Sequence, residues 1–149
     1  MATTLNLYDQ WRDTVADPAR AAAVAGTLKC AIVAAAYAPD QNLHDFFNDI
    51  TNEVSGTGYT AGGNACAAPT WSGPDGAGLL TFDASDPATW TQNVAGFSNG
   101  RRAIFYYDTG VASTSRLVGY TNDFGADSGN VAGDFSVALN AAGIYTSAR

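Results

Sequence analysis

The chain has one histidine, His44, so any Ser–His–Asp or Cys–His relay would have to run through it. Its chemically interesting neighbours are Asp40, Asp45 and Asp49, and no serine stands in a G-x-S-x-G elbow. A lone imidazole beside aspartates on an amphipathic turn reads as a surface residue. Soft-metal binding would need His44, Cys30 and Cys66 together, without the paired spacing of a zinc site. Asp123, Asp127, Ser128, Asn130 and Asp134 gather oxygen ligands on one Gly-containing stretch, as a calcium loop does. The EF-hand order and its closing Glu are absent, however, and these residue types are also the commonest in turns. The expectation there is an ordinary solvated loop.

Asp83 and Asp86, near Trp71 and Trp90, could in principle form a glycosidase pair in an aromatic groove. A general acid for that chemistry is commonly a Glu in an apolar pocket, and Glu53 is the only glutamate. The tryptophans are expected to fill a core instead. No phosphate- or dinucleotide-binding glycine pattern is present. The residues therefore name no catalytic group, no cofactor and no metal site, and the chain is expected not to be an enzyme.

The elements that would position these groups read as mostly strand. Leu7, Tyr8, Trp11 and Val15 recur at three- and four-residue spacing, which predicts a short amphipathic helix over 5–17, with Asn6 as N-cap and Pro18 as its stop. Its stripe either packs on the domain's own sheet or docks on a neighbouring subunit, and Leu7, Tyr8, Trp11 and Val15 are the candidate interface. The apolar run 28–37, bounded by Gly26-Thr27 and Pro39-Asp40, predicts a buried strand. Leu43, Phe46, Phe47 and Ile50 fit one or two helical turns.

From Glu53 onward, short strands alternate with turns. Strands are predicted at Thr70-Trp71 and 79–82 around Gly73-Pro74-Asp75-Gly76, and again at 90–97. A pair follows at 102–107 and 116–120, at hairpin distance. Phe135, Val137 and Leu139 alternate with Ser136 and Ala138, the cleanest strand pattern of all, and 143–146 closes the chain. The fold class expected is mainly β: an antiparallel β-sandwich, jelly-roll-like, with a short N-terminal helix and one further helical turn. One domain spans 1–149, with a helix or arm over 1–26 and the sandwich over 27–149.

Bulk numbers agree. The 149 residues suffice for one core, and 46% are hydrophobic but only 14% charged, against roughly a quarter in average proteins. Glu is a good helix former and Asp a turn former, so the near-absence of Glu argues against much helix. With one Lys, six Arg and a net charge of −7, there is no basic patch for nucleic acid and no attraction to anionic membranes. A basic protein surface is the compatible partner. Cys30 and Cys66 read as reduced, half-buried thiols rather than a disulfide framework. The start Met1-Ala2-Thr3-Thr4 has no basic segment followed by a long apolar one. The expectation is a product made and kept in a cytosol until something moves it.

The order of segments resembles a family of small tailed-bacteriophage virion structural proteins. The resemblance runs through Asn6-Leu7-Tyr8-Asp9, Ala36-Tyr37-Ala38-Pro39-Asp40 and the stretch 52–63, of which Val54-Ser55-Gly56-Thr57-Gly58-Tyr59 is the most specific piece. It continues through Thr81-Phe82-Asp83-Ala84, Trp90, the 102–108 strand and Gly133-Asp134-Phe135-Ser136-Val137. It implies no catalytic residues. It implies a virion home on the capsid exterior after assembly in the bacterial cytoplasm, and a decoration (cement) role. The partners it implies are the major capsid protein and further copies of the chain, as a homodimer or homotrimer. A tail, neck or fibre component is the structural alternative, and a carbohydrate-binding module the alternative of another class.

Overall fold

A computed structural model describes residues 2–3, 5–11, 26–72 and 79–148. Its centre is a five-stranded antiparallel sheet. In spatial order it runs β2 (Leu5–Leu7), β8 (Arg116–Thr121), β7 (Gly100–Asp108), β3 (Thr27–Ala34), β4 (Asn64–Ala65). A three-stranded antiparallel sheet is formed by β10 (Tyr145–Ala148), β6 (Leu79–Asp83) and β5 (Thr70–Ser72). A short parallel pair joins β1 (Ala2–Thr3) to β9 (Ala138–Leu139). The protein is thus mainly β, as composition and turn chemistry indicated.

The apolar run after Thr27 becomes β3, between β7 and β4, and β7 lies between β3 and β8. Strands buried on both faces lose the in–out alternation and read as continuous apolar runs. Leu28, Cys30 and Ile32 point into one core with Ala103, Phe105 and Tyr107. Ala31 and Val33 point into a second core with Ile104, Tyr106 and Leu117. On the first face, Trp11 links the two larger sheets: its ring lies 5.8 Å from Phe82 of β6 and 5.5 Å from Tyr107 of β7. Over the second face, Phe47 stacks on Tyr106 at 4.0 Å.

β8 would be an open edge on the side away from β7. β2 covers it along Gly119–Thr121, and residues 45–47 take over beyond, where Phe47 N–H donates to Ser115 O and Leu117 N–H to Asp45 O. Gly119 permits the close approach of β2, since a Cβ there would stand 2.8 Å from Asn6 O.

Three sequence expectations are corrected. The helix predicted from Leu5 is strand over Leu5–Leu7; residues 9–11 are helical, and the rest of the predicted span, with Val15 and Pro18, lies outside the described residues. Leu5 and Leu7 alternate across a pleat, a period-2 signal hidden inside the helical one. Asn6 is no N-cap: its side chain donates to Asn122 Oδ1 at 2.9 Å. The strand predicted at 90–97 is a single bridge at Trp90 followed by a turn. Asn93 Oδ1 accepts from Ala95 N–H and Asn93 O from Gly96 N–H, so side-chain turn chemistry displaces the ladder. The alternation at 135–139 is real as burial, but only Ala138–Leu139 is strand, because its partner β1 has two residues. The helical turn expected at 43–50 is present as one 3-10 turn, Phe47–Asp49, outside which Leu43 is 74% exposed.

Candidate functional site

The proposed docking stripe is not on the surface. Leu7, Tyr8 and Trp11 are buried, Leu7 and Trp11 in the first core and Tyr8 in the second, and Val15 lies outside the described residues. Internal packing therefore accounts for the three that are described. A partner could reach them only by opening the core. Among the described residues, the large apolar side chains left most exposed are Leu43, Val94 at 85% and Val111 at 55%, all on turns.

The single histidine sits at the end of a buried polar chain. Tyr8 Oη is 2.9 Å from Tyr37 Oη, which is 2.9 Å from His44 Nδ1. The Tyr37 and His44 rings stack at 5.6 Å. Asp40 N–H donates to the same Nδ1 at 3.3 Å, while His44 N–H returns a bond to Asp40 O. Asp40 Oδ1 accepts from Asn42 and Leu43 N–H, closing the 40–44 turn. Gln41 ties this turn to the N-terminal strand: its Nε2 donates to Leu7 O at 2.6 Å and its carbonyl accepts from Asp9 N–H at 2.9 Å. Burial pushes Tyr37 up to about 12 and raises Tyr8 further, so both phenols stay neutral. His44 was legible as the one imidazole; Tyr37 and Gln41 were not marked, although Asp40 four residues ahead of His44 is the pattern of a capped turn.

Glu53, the only carboxylate long enough for a buried general acid, is held in the framework. Its Oε1 accepts from Tyr59 Oη at 2.7 Å and from Gly62 N–H at 2.6 Å. Tyr59 Oη in turn accepts from Ile32 N–H at 2.9 Å, and Val54 N–H donates to Ile32 O. The 54–63 stretch is thus clamped to β3. Gly63, at φ +72°, would drive a Cβ into the Cys30 carbonyl, so only glycine fits this approach.

The acid-rich loop after β8 is engaged by arginines. Arg101 binds Asp123 at 2.7 Å and Asp127 at 3.4 Å, and Arg102 reaches Asp123 at 3.4 Å. Gly125 N–H, then Arg101, hold the Asp123 carboxyl below the usual range. Asp134 accepts from Gln92 N–H, Ser128 Oγ donates to Ala126 O and Asn130 turns inward, so the five proposed oxygen ligands do not converge on one point. Among the described residues no three His, Cys, Asp or Glu side chains are grouped to hold a metal ion. Beside this loop lies an open cleft of about 380 Å³, lined by Ser98, Asp127, Ser128, Val131 and Phe135.

Asn130 is the polar residue that sequence reading undervalued. Fully buried, it accepts from Phe97 N–H at 2.9 Å and donates to Thr91 O at 2.8 Å, fastening the 91–97 loop. Nothing in its turn-rich surroundings marks it. Asp83 accepts from Ala84 N–H and Asp86 from Leu139 N–H, both serving the backbone. Trp90 is buried and stacks with Tyr59 at 6.1 Å, while the Trp71 side chain lies outside the described ones. Cys30 and Cys66 are buried free thiols; burial raises Cys30 and pushes Cys66 up to about 12. Among the described residues no helix is long and apolar enough to cross a membrane.

No protein-family model, curated protein or solved structure matches this chain.

Proposed function

We propose that this chain is a non-catalytic structural component of a tailed-phage particle, acting as a capsid decoration (cement) protein. In this reading it binds the major capsid protein on the capsid exterior and self-associates there as a dimer or trimer. The reading rests on the resemblance along nearly the whole chain. The structural observation that supports it is the role of the most specific segment: the 54–63 stretch is bound to β3 through Tyr59, Glu53 and Val54. What the chain has in common with that family is then a framework motif rather than an active-site motif.

Most of the polar groups that could have done chemistry are engaged by backbone or by neighbouring side chains, which suits a rigid scaffold carrying loops. The finer fold in this proposal is a β-sandwich, its two layers being the five- and three-stranded sheets that meet at Trp11. With Leu7, Tyr8 and Trp11 buried, the capsid contact passes to the loops, and Leu43, Val94 and Val111 are its apolar candidates. Individually weak contacts of this kind become strong when repeated over an icosahedral lattice.

Copy number is the decisive measurement. A cryo-electron-microscopy map of the whole particle should show hundreds of copies on the shell. A dozen or fewer, at the neck, tail or fibres, would replace cement with the tail-component reading, and absence from the particle would end both.

A further inference from the structure

The chain of Tyr8, Tyr37 and His44 has a direction that one backbone group decides. Asp40 N–H can only donate, and it points at His44 Nδ1, so that nitrogen carries no proton and the neutral ring is protonated on Nε2. Tyr37 must then donate to Nδ1, and Tyr8 must donate to Tyr37. Three donors, two hydroxyls and one amide, thus depend on a single terminal acceptor. When Nδ1 takes a proton, Tyr37 can turn and accept from it, but a hydroxyl proton further back then loses its acceptor. Asp40 N–H cannot turn at all, and faces another donor.

We propose that His44 is a pH-operated latch: protonating Nδ1 opens the 40–44 turn and slackens the grip of Gln41 on the N-terminal strand at Leu7 and Asp9. The coupling is the pair of bonds from Gln41 to Leu7 O and Asp9 N–H. Among the described residues, the ionisable groups of the ring and its hydrogen-bonded chain enter the balance. Tyr8 faces it through Tyr37, and Tyr37 and Asp40 come from the segment after β3. Asp45 and Asp49 lie on its own segment, Asp49 accepting from Asp45 and Phe46 N–H. Tyr120 of β8 lies against Tyr8, with Arg102 of β7 acting on Tyr120, and Asp9 joins through Gln41. Burial raises both phenols, so neither gives up its proton over the range in which the latch works.

The test uses the full chain from pH 8 to pH 5, above the ordinary carboxylate range. NMR follows the His44 ring signals and the hydrogen-exchange protection of the Asp40 and Asp9 amides. Protection of both should fall about tenfold with the midpoint of the ring titration, the ratio matching one lost hydrogen bond of ordinary strength. His44→Asn, which keeps an uncharged acceptor near the place of Nδ1, should remove the pH response. Unchanged protection through the titration, or the same drop in His44→Asn, overturns the latch. A fall at Asp40 without one at Asp9 overturns its coupling to the strand. Should the variant fail to fold, the wild-type titration still decides, and nitrogen shifts placing the neutral proton on Nδ1 overturn the mechanism outright.

Discussion

At the residue scale, the polar side chains of this protein act as fasteners, and their removal should be read as unsatisfied backbone. Asn130→Ala leaves the buried Phe97 N–H, and the part-buried Thr91 O, without their side-chain partner. An orphaned buried group costs ~1–3 kcal/mol, so urea denaturation should show a loss of about 2–3 kcal/mol; less than half a kcal/mol would contradict this role. Asp108 gives a pH dependence. Its bond to Lys29 at 2.6 Å, helped by Gly110 N–H, lowers its carboxyl from the ordinary 3.8. A lowered folded value means the stabilisation is complete above pH 3.8 and disappears as pH falls through the lower folded value. The pair is partly exposed, so the effect is on the order of 1 kcal/mol or less. Thermal unfolding of Asp108→Asn against wild type should show a gap at pH 6 that closes towards pH 3. Cys30 and Cys66 are both buried, so a thiol reagent should label neither in the native state and both in denaturant.

At the element scale, the N-terminal segment is part of the core rather than an appendage. Leu5, Leu7, Tyr8 and Trp11 are buried, and β1 and β2 pair with β9 and β8. Deleting residues 1–11 removes an edge strand together with the ring between Phe82 and Tyr107. Loss of one buried Trp alone costs ~3–5 kcal/mol, which is comparable to the stability of many small domains. The truncated chain should therefore lose its near-ultraviolet circular dichroism and cooperative melting. A truncation that melts cooperatively and only fails to bind capsids would restore the docking-arm reading. The opposite holds for the turn carrying Val111, whose side chain is 55% exposed: Val111→Ser should leave the melting temperature within a degree or two.

At the scale of the whole molecule, the five-stranded sheet is covered on both faces and its β8 edge is closed by two separate segments, β2 and residues 45–47. Such closure resists edge-to-edge pairing and leaves loops as the adaptable surface. If the chain cements a capsid, particles made without it should survive heating and osmotic shock less well than complete particles, measured as titre or DNA release. Equal survival would count against that role.

By itself the sequence determined what local chemistry can determine. The apolar run of β3, the hairpin of β7 and β8, the β5–β6 pair and the burial of Trp90 all follow from short-range pattern and turn residues, whereas the stripe of Trp11 was open to either packing or docking until the fold buried it. Tertiary structure decided the rest, because pairing and burial are non-local. Leu5-Asn6-Leu7-Tyr8 satisfies helical and strand periods at once over so few residues, and only the approach of Gly119 chooses strand. Asn93 and Asn130 look like any turn residues until one closes a turn against the predicted strand and the other is found buried. The polar chain draws Tyr8, Tyr37 and His44 from separate stretches. Its direction, and with it the consequence of adding one proton, exists only where the fold sets Asp40 N–H against Nδ1.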